Sequence, residues 1–181
     1  MDKWVFTSAV VPIALLATER RTIMTEPEIQ AIPDGMHSIT PHLVVRDAAR
    51  AAEWYKAALG AEERGRIPVP GGKFMQIELW FGDSAVMLAD EFPEAGILSP
   101  LAIGGTSVVL HFSTENVDAL WKRAIDAGAK VLQPLQDQFW GDRYGQIIDP
   151  FGYRWGLAQH IRDVSREEIA RRAANVFGGE A

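Results

Sequence analysis

The sequence predicts an α+β fold: two βαβββ modules, each a mixed sheet with a helix on one face, paired around a cavity and followed by a C-terminal helix. Three observations carry this. ITPHLVVRDAARAAEWYKAALGA and SVVLHFSTENVDALWKRAIDAGA share one pattern; Gly60-Ala61 recurs 68 positions on as Gly128-Ala129, and the strands before them superpose at 69. Each predicted helix is followed by runs that alternate at period two, the signature of strands with unlike faces. The chain ends in an amphipathic stretch.

In the first module a strand ends at Asp47, a good N-cap. Ala48, Ala51, Ala52, Tyr55, Ala58 and Leu59 then form one helical face, and Gly60 stands where a left-handed C-cap belongs. In KFMQIELWF, Met75, Ile77, Leu79 and Phe81 share one side, and Gln76, Glu78 and Trp80 the other. Gly82-Asp83 turns the chain, and Ser84 to Asp90 returns as a strand. In the second module Val117, Leu120, Trp121, Ala124 and Ile125 give the helical stripe, and Gly128 stops it. VLQPL reads as a strand, Gln138 to Gly145 as a polar loop, and QIIDPFGYRWGLAQH as a hairpin turning at Asp149-Pro150-Phe151-Gly152.

A right-handed crossover makes the first and last strands of each module parallel. Alternation turns Ile39, Leu43 and Val45 to the first helix and Thr40, His42 and Val44 to the cavity. In the second module Val108, Leu110 and Phe112 face the helix, and Val109, His111 and Ser113 the cavity. The repeat therefore sets His42 opposite His111. Two unrelated core histidines seldom occupy equivalent positions, which points to function.

These modules span about residues 38–91 and 106–160 within a domain of residues 38–161. Residues 162–181 form a helix and tail in which Ser165 and Glu168 make a capping box, and Ile169, Ala173 and Val176 one apolar face. Residues 1–37 are an extension with a loose arm holding an exposed His37. Its first 23 residues contain an apolar run from Val5 to Ala17, yet Asp2, a weak basic start and the lack of a small-x-small site argue against a secretory signal. Arg20-Arg21 encoded as CGG-AGG would contain GGAGG just before Met24, so translation is expected to begin there.

Composition narrows the classes. The 181 residues are 48% hydrophobic, enough for a full core in one domain. A net charge of −6 repels phosphate backbones, so no nucleic-acid partner is expected, and the field favours a basic ligand. No stretch has the length and flanks of a membrane span. The absence of cysteine excludes disulfides, thiolate nucleophiles and Cys-based zinc sites, and a cytoplasmic location is expected.

The paired βαβββ units and the D-P-x-G-Y hairpin resemble the vicinal oxygen chelate superfamily over residues 38 to 160. That group comprises glyoxalase I, extradiol dioxygenases, and fosfomycin and bleomycin resistance proteins. The strings ITPHLVVRDAARA, GDSAVMLADE, DQFWGDRYGQIIDPFGYRW and DVSREEIARRAA are similar to its PhnB-like subgroup. The resemblance implies a glyoxalase-like pair of half-barrels around a cavity, and a metal held by four His or Glu ligands from the first and last strands of both units. Those positions here are Thr40, Leu88, Val109 and Gly156, none a usual ligand. The expectation is therefore a cavity without that metal and without another cofactor. A shifted site of His42, Asp90 and His111, two residues along, remains an alternative for iron, zinc, manganese or nickel.

Candidate ligand-binding residues are His42, Gln76, Glu78, Trp80, His111, Trp140 and Arg143. His42 and His111 would line the cavity as polar contacts or proton carriers. Glu78 reads either as a solvent-facing residue at a sheet margin or as a buried general base. Trp80 and Trp140 offer flat aromatic walls. In QFWGDRYG, Arg143 reads either as a partner of Asp142 or as an anchor for an anionic group, and Arg154 points inward by parity. The leading expectation is a homodimer that binds a small molecule in an apolar, Trp- and His-lined cavity. The competing one is an enzyme: a metal-dependent lyase or dioxygenase with the shifted site, or a metal-free acid–base catalyst using His42, His111 and Glu78. A vestigial pocket is the third reading.

Overall fold

A computed structural model describes residues 29–33 and 35–178. The chain divides into two compact units, residues 1–31 and 32–181, and every helix and strand described lies in the second. The expected start at Met24 lies outside the described residues. The elements are β1 (His42–Val45), α1 (Ala48–Leu59), β2 (Glu62–Val69), β3 (Lys73–Phe81), β4 (Ser84–Asp90), a short α2 (Pro100–Ile103), β5 (Val109–Ser113), α3 (Val117–Asp126), β6 (Lys130–Asp137), β7 (Asp142–Ile148), β8 (Arg154–His160) and α4 (Arg166–Phe177). They form two βαβββ modules and a C-terminal helix. One sheet runs in the order β1-β4-β3-β2 and the other β5-β8-β7-β6. The outer pairs β1–β4 and β5–β8 are parallel and the rest antiparallel, as the crossover dictates.

The helix signals act locally as expected. Asp47 caps α1 by accepting from Arg50 N–H, and Gly60 ends it at φ 75°. Asn116 caps α3 the same way through Ala119 N–H. Ser165 accepts from Glu168 N–H, but the Glu168 carboxylate turns to Arg171 and Arg172, so only half of the capping box forms.

The predicted helix faces are buried: Ala48, Ala51, Ala52, Tyr55 and Ala58 of α1 and Val117, Leu120 and Ala124 of α3 share one apolar cluster with Ile77, Leu79, Leu88, Ile147 and Leu157 of the sheets. Three expectations need correction. Ile39 and Val108 are exposed because β1 begins only at His42 and β5 at Val109, so neither residue reaches a helix. The stretch Gln138 to Gly145 is a loop only to Gly141; the polar residues beyond it belong to β7.

Candidate functional site

The strand register fixes which side chains share the face opposite the helices. Across the first sheet, His42 pairs with Met87 and Met87 with Glu78, giving one row. Across the second, His111 pairs with Gly156 and Gly156 with Gln146. These rows are equivalent in the repeat, and His42 and His111 are both exposed on them. Burial alternates to match: Leu43 and Val45 are buried toward α1, while His42 lies open.

On the second face, Tyr144 stacks on His111 with ring centroids 5.8 Å apart and an interplanar angle of 14°. Gly156 makes this possible, since a Cβ there would lie 2.6 Å from the Tyr144 hydroxyl. Trp140 meets Tyr144 edge-on at 5.9 Å and Phe139 at 5.0 Å, and its Nε1 donates to Asp142 Oδ2. The polar face thus carries an aromatic run from His111 through Tyr144 and Trp140 to Phe139.

On the first face, Trp80 Nε1 donates to Glu78 Oε1 at 2.6 Å, and the Arg64 guanidinium lies 3.7 Å from the Trp80 ring centroid. Gly35 passes over the same ring: a Cβ on it would stand 2.7 Å from Trp80. Trp80 is therefore only 5% exposed, covered by its own chain. Gln76 and Glu78 are half-buried beside it.

Two candidates are not brought to these faces. Asp90 pairs with Val45 and so shares the helix side. It is 4% exposed, and its oxygens accept from Ala48 N–H at 2.9 Å and Phe74 N–H at 2.7 Å. It pins α1 and β3 together, and His42, Asp90 and His111 do not form a shifted triad; no group of three or more His, Asp or Glu suited to a metal occurs among the described residues. Arg143 also points to the helix side. It donates to both oxygens of Asp118 and to Asp137, while Asp142, its expected partner, bonds Trp140 and His160. Two carboxylates beside it raise its proton affinity above the ordinary arginine value and occupy its donors.

The family ligand positions need one further correction. Leu88 pairs with Leu43 and is buried against α1, so the open-face positions on β4 are Met87 and Ala89. Thr40, Met87, Val109 and Gly156 present a hydroxyl, a thioether and two groups with no donor, which does not fit a site of four His or Glu ligands.

A cleft of about 440 Å³ lies where the modules meet. It runs between the β3–β4 hairpin, the edge of β5 and the segment before β1, and His37, Ser84, His111, Phe112, Ser113 and Trp155 are among its walls. The sequence predicts His37 as a solvent-facing arm position. Its exposure is as expected, but only the fold shows what it faces.

The modules are held together by the D-P-F-G-Y hairpin. Asp149, 5% exposed, accepts from Tyr55 and Trp155 Nε1 on one oxygen and from Phe151 and Tyr153 N–H on the other. The Tyr153 hydroxyl accepts from Val44 N–H at 2.8 Å and donates to Val44 C=O at 3.0 Å, closing the free edge of β1. Burial pushes the Asp149 carboxyl above the usual range against the pull of its four donors, and lifts the Tyr55 phenol well above its own.

Residues 35–157 match the family model of the Glyoxalase/Bleomycin resistance protein/Dioxygenase superfamily. The chain belongs to this superfamily. An uncharacterized protein of Mycobacterium bovis is 44% identical over 135 residues, 73% of this chain and 89% of that one. An uncharacterized protein of Arabidopsis thaliana is 28% identical over 127 residues, 65% of this chain and 76% of that one. Among solved structures, TioX from Micromonospora sp. ML1 aligns with a TM-score of 0.55 and 26% identity, over 68% of this chain and 98% of TioX. Superfamily membership fixes the fold and leaves the chemistry to the site. No helix among the described residues is long and apolar enough to cross a membrane.

Proposed function

We propose that this glyoxalase-superfamily protein binds a small molecule on the open sheet faces, without the family's four-ligand metal. One observation carries the reading: the equivalent rows hold His42 and His111 exposed, and on the second the His111–Tyr144–Trp140 run gives an aromatic platform with polar edges. Such a surface suits an apolar body with a few polar groups. The net charge of −6 favours a basic ligand. Exposed apolar residues on the strands, Val109 on the open face and Met75 and Val131 elsewhere, support a homodimer in which a second copy covers part of this surface. Strings such as GDSAVMLADE and DVSREEIARRAA support a PhnB-like subgroup, and the cysteine-free sequence a cytoplasmic setting.

A second reading has its own support. His42 and Glu78 flank Met87 in one row, two strand spacings or roughly 10 Å apart, room for a substrate between an acid and a base. The two are separated by a thermal-shift screen of small organic cations and aromatic compounds. Binding is expected to raise Tm in the native chain and to be lost in His111→Ala and Tyr144→Ala. Hits that ignore both variants overturn the binding reading, and turnover abolished by His42→Ala or Glu78→Gln establishes the enzyme. Elemental analysis of protein purified without chelators completes the test: stoichiometric metal lost in His42→Ala or His111→Ala contradicts a metal-free site.

A further inference from the structure

The two module junctions are equivalent by the repeat but are finished differently. At one, Tyr153 caps the free edge of β1 through both backbone groups of Val44. Its counterpart in the first module is Ser84: Arg154 pairs with Ile148 just beyond Tyr153, as Ala85 pairs with Trp80 just beyond Ser84. The counterpart of Val44 is Ser113, since Val44 pairs with Ala89 and Ser113 with Ala158, each 69 positions later.

Backbone geometry carries the equivalence through. In β1, Pro41 and Val45 accept from Met87 and Glu91, which turns the N–H and C=O of Val44 outward to Tyr153. In β5, Thr114 donates to Ala158 C=O, which likewise turns the N–H and C=O of Ser113 to the open edge. No side chain among the described residues bridges them. Ser84 is too short, and its hydroxyl bonds Asp83 instead. What stands in place of a tyrosine ring is the 440 Å³ cleft, lined by Ser84, Ser113, Phe112, Trp155, Val109 and His111.

We propose that this cleft is a binding site for small phenols, whose hydroxyl bridges the N–H and C=O of Ser113 as the Tyr153 hydroxyl bridges those of Val44. The protein's own second junction is the template: a phenol on a strand edge, with its ring against the aromatic packing between modules. Phe81, Phe112 and Trp155 supply that packing here, with centroid separations of 5.5 and 5.7 Å. His37 and His111 stand at the cleft to meet polar substituents on a larger ligand. The site lies at the module junction and does not depend on the reading given to the open sheet faces.

The test uses p-cresol, the free side chain of tyrosine, and 4-methylanisole, its methyl ether, titrated into the full chain with backbone amides followed by NMR. p-Cresol is expected to shift the Ser113 and His111 amides saturably, with the ether at least fivefold weaker. Ser84→Tyr should fill the cleft from within and abolish the shifts, and Ser84→Phe should block the ring without supplying a hydroxyl. Ser84 is exposed at a hairpin end, so both variants should fold. Equal affinity for the two compounds, shifts centred elsewhere, or cresol binding undiminished in both variants overturns the proposal, as does no shift at millimolar cresol.

Discussion

The Tyr55 hydroxyl donates to Asp149 Oδ2 at 2.7 Å, joining the helix of the first module to the β7–β8 hairpin of the second. Both residues are buried, and Asp149 is the point where four donors from two elements converge. The D-P-F-G-Y string is therefore a fastening between modules. Removing the acceptor should cost more than removing one donor. Asp149→Ala strands four donors and should lower stability by at least about 3 kcal/mol; Tyr55→Phe should cost about 1 kcal/mol. Urea denaturation of the single and double variants checks both values and their coupling.

Acid should not open this junction. Burial holds the folded Asp149 carboxyl above the unfolded value, so its contribution is fully present below the unfolded pKa of about 4 and declines as pH rises through the folded one. Stability profiles of the native chain and Asp149→Asn should diverge above that range and run parallel below it. The reverse order would contradict the assignment.

His160 acts in the same direction at higher pH. Its Nδ1 lies 2.8 Å from Asp142 and its Nε2 3.0 Å from Asp163, and both hydrogen bonds raise its proton affinity. The pairing stabilises fully below the unfolded pKa of about 6.5 and is lost as pH rises through the raised folded value. Tm of the native chain should fall relative to His160→Gln over that window, and a flat difference would exclude the linkage.

Gly156→Ala should separate the fold from the aromatic platform. Its Cβ would meet the Tyr144 ring, which can swing away, so the chain should still fold at a cost of about 1 kcal/mol. The His111–Tyr144 stack should not survive. Loss of the ring-current shift on the His111 imidazole protons is the readout, and an unchanged shift would place the stack elsewhere.

Arg143→Ala should leave small-molecule binding at the open faces unchanged, because its guanidinium is held by Asp118 and Asp137 on the helix side. A variant that weakens binding tenfold without changing Tm would show that the side chain turns to the ligand.

The sequence by itself determined the modules. Capping residues, helical stripes and period-two strands are local signals, and the repeat of ITPHLVVRD in VVLHFSTEN puts His42 and His111 on equivalent rows. Superfamily membership was legible for the same reason. Tertiary structure alone decided which faces those signals served. Asp90 has the spacing of a ligand, but its pairing with Val45 sets it on the buried side, where two backbone amides claim it. Arg143 and Tyr144 are neighbours in sequence and point to opposite faces, one to Asp118 and one to His111. The closed junction at Tyr153 and the open one at Ser84 carry a long phenol and a short hydroxyl at equivalent positions, a difference that acquires meaning once a free strand edge lies within reach of one and not the other. Local periodicity fixes what a residue's neighbours are along the chain; only packing between modules fixes what stands across from it.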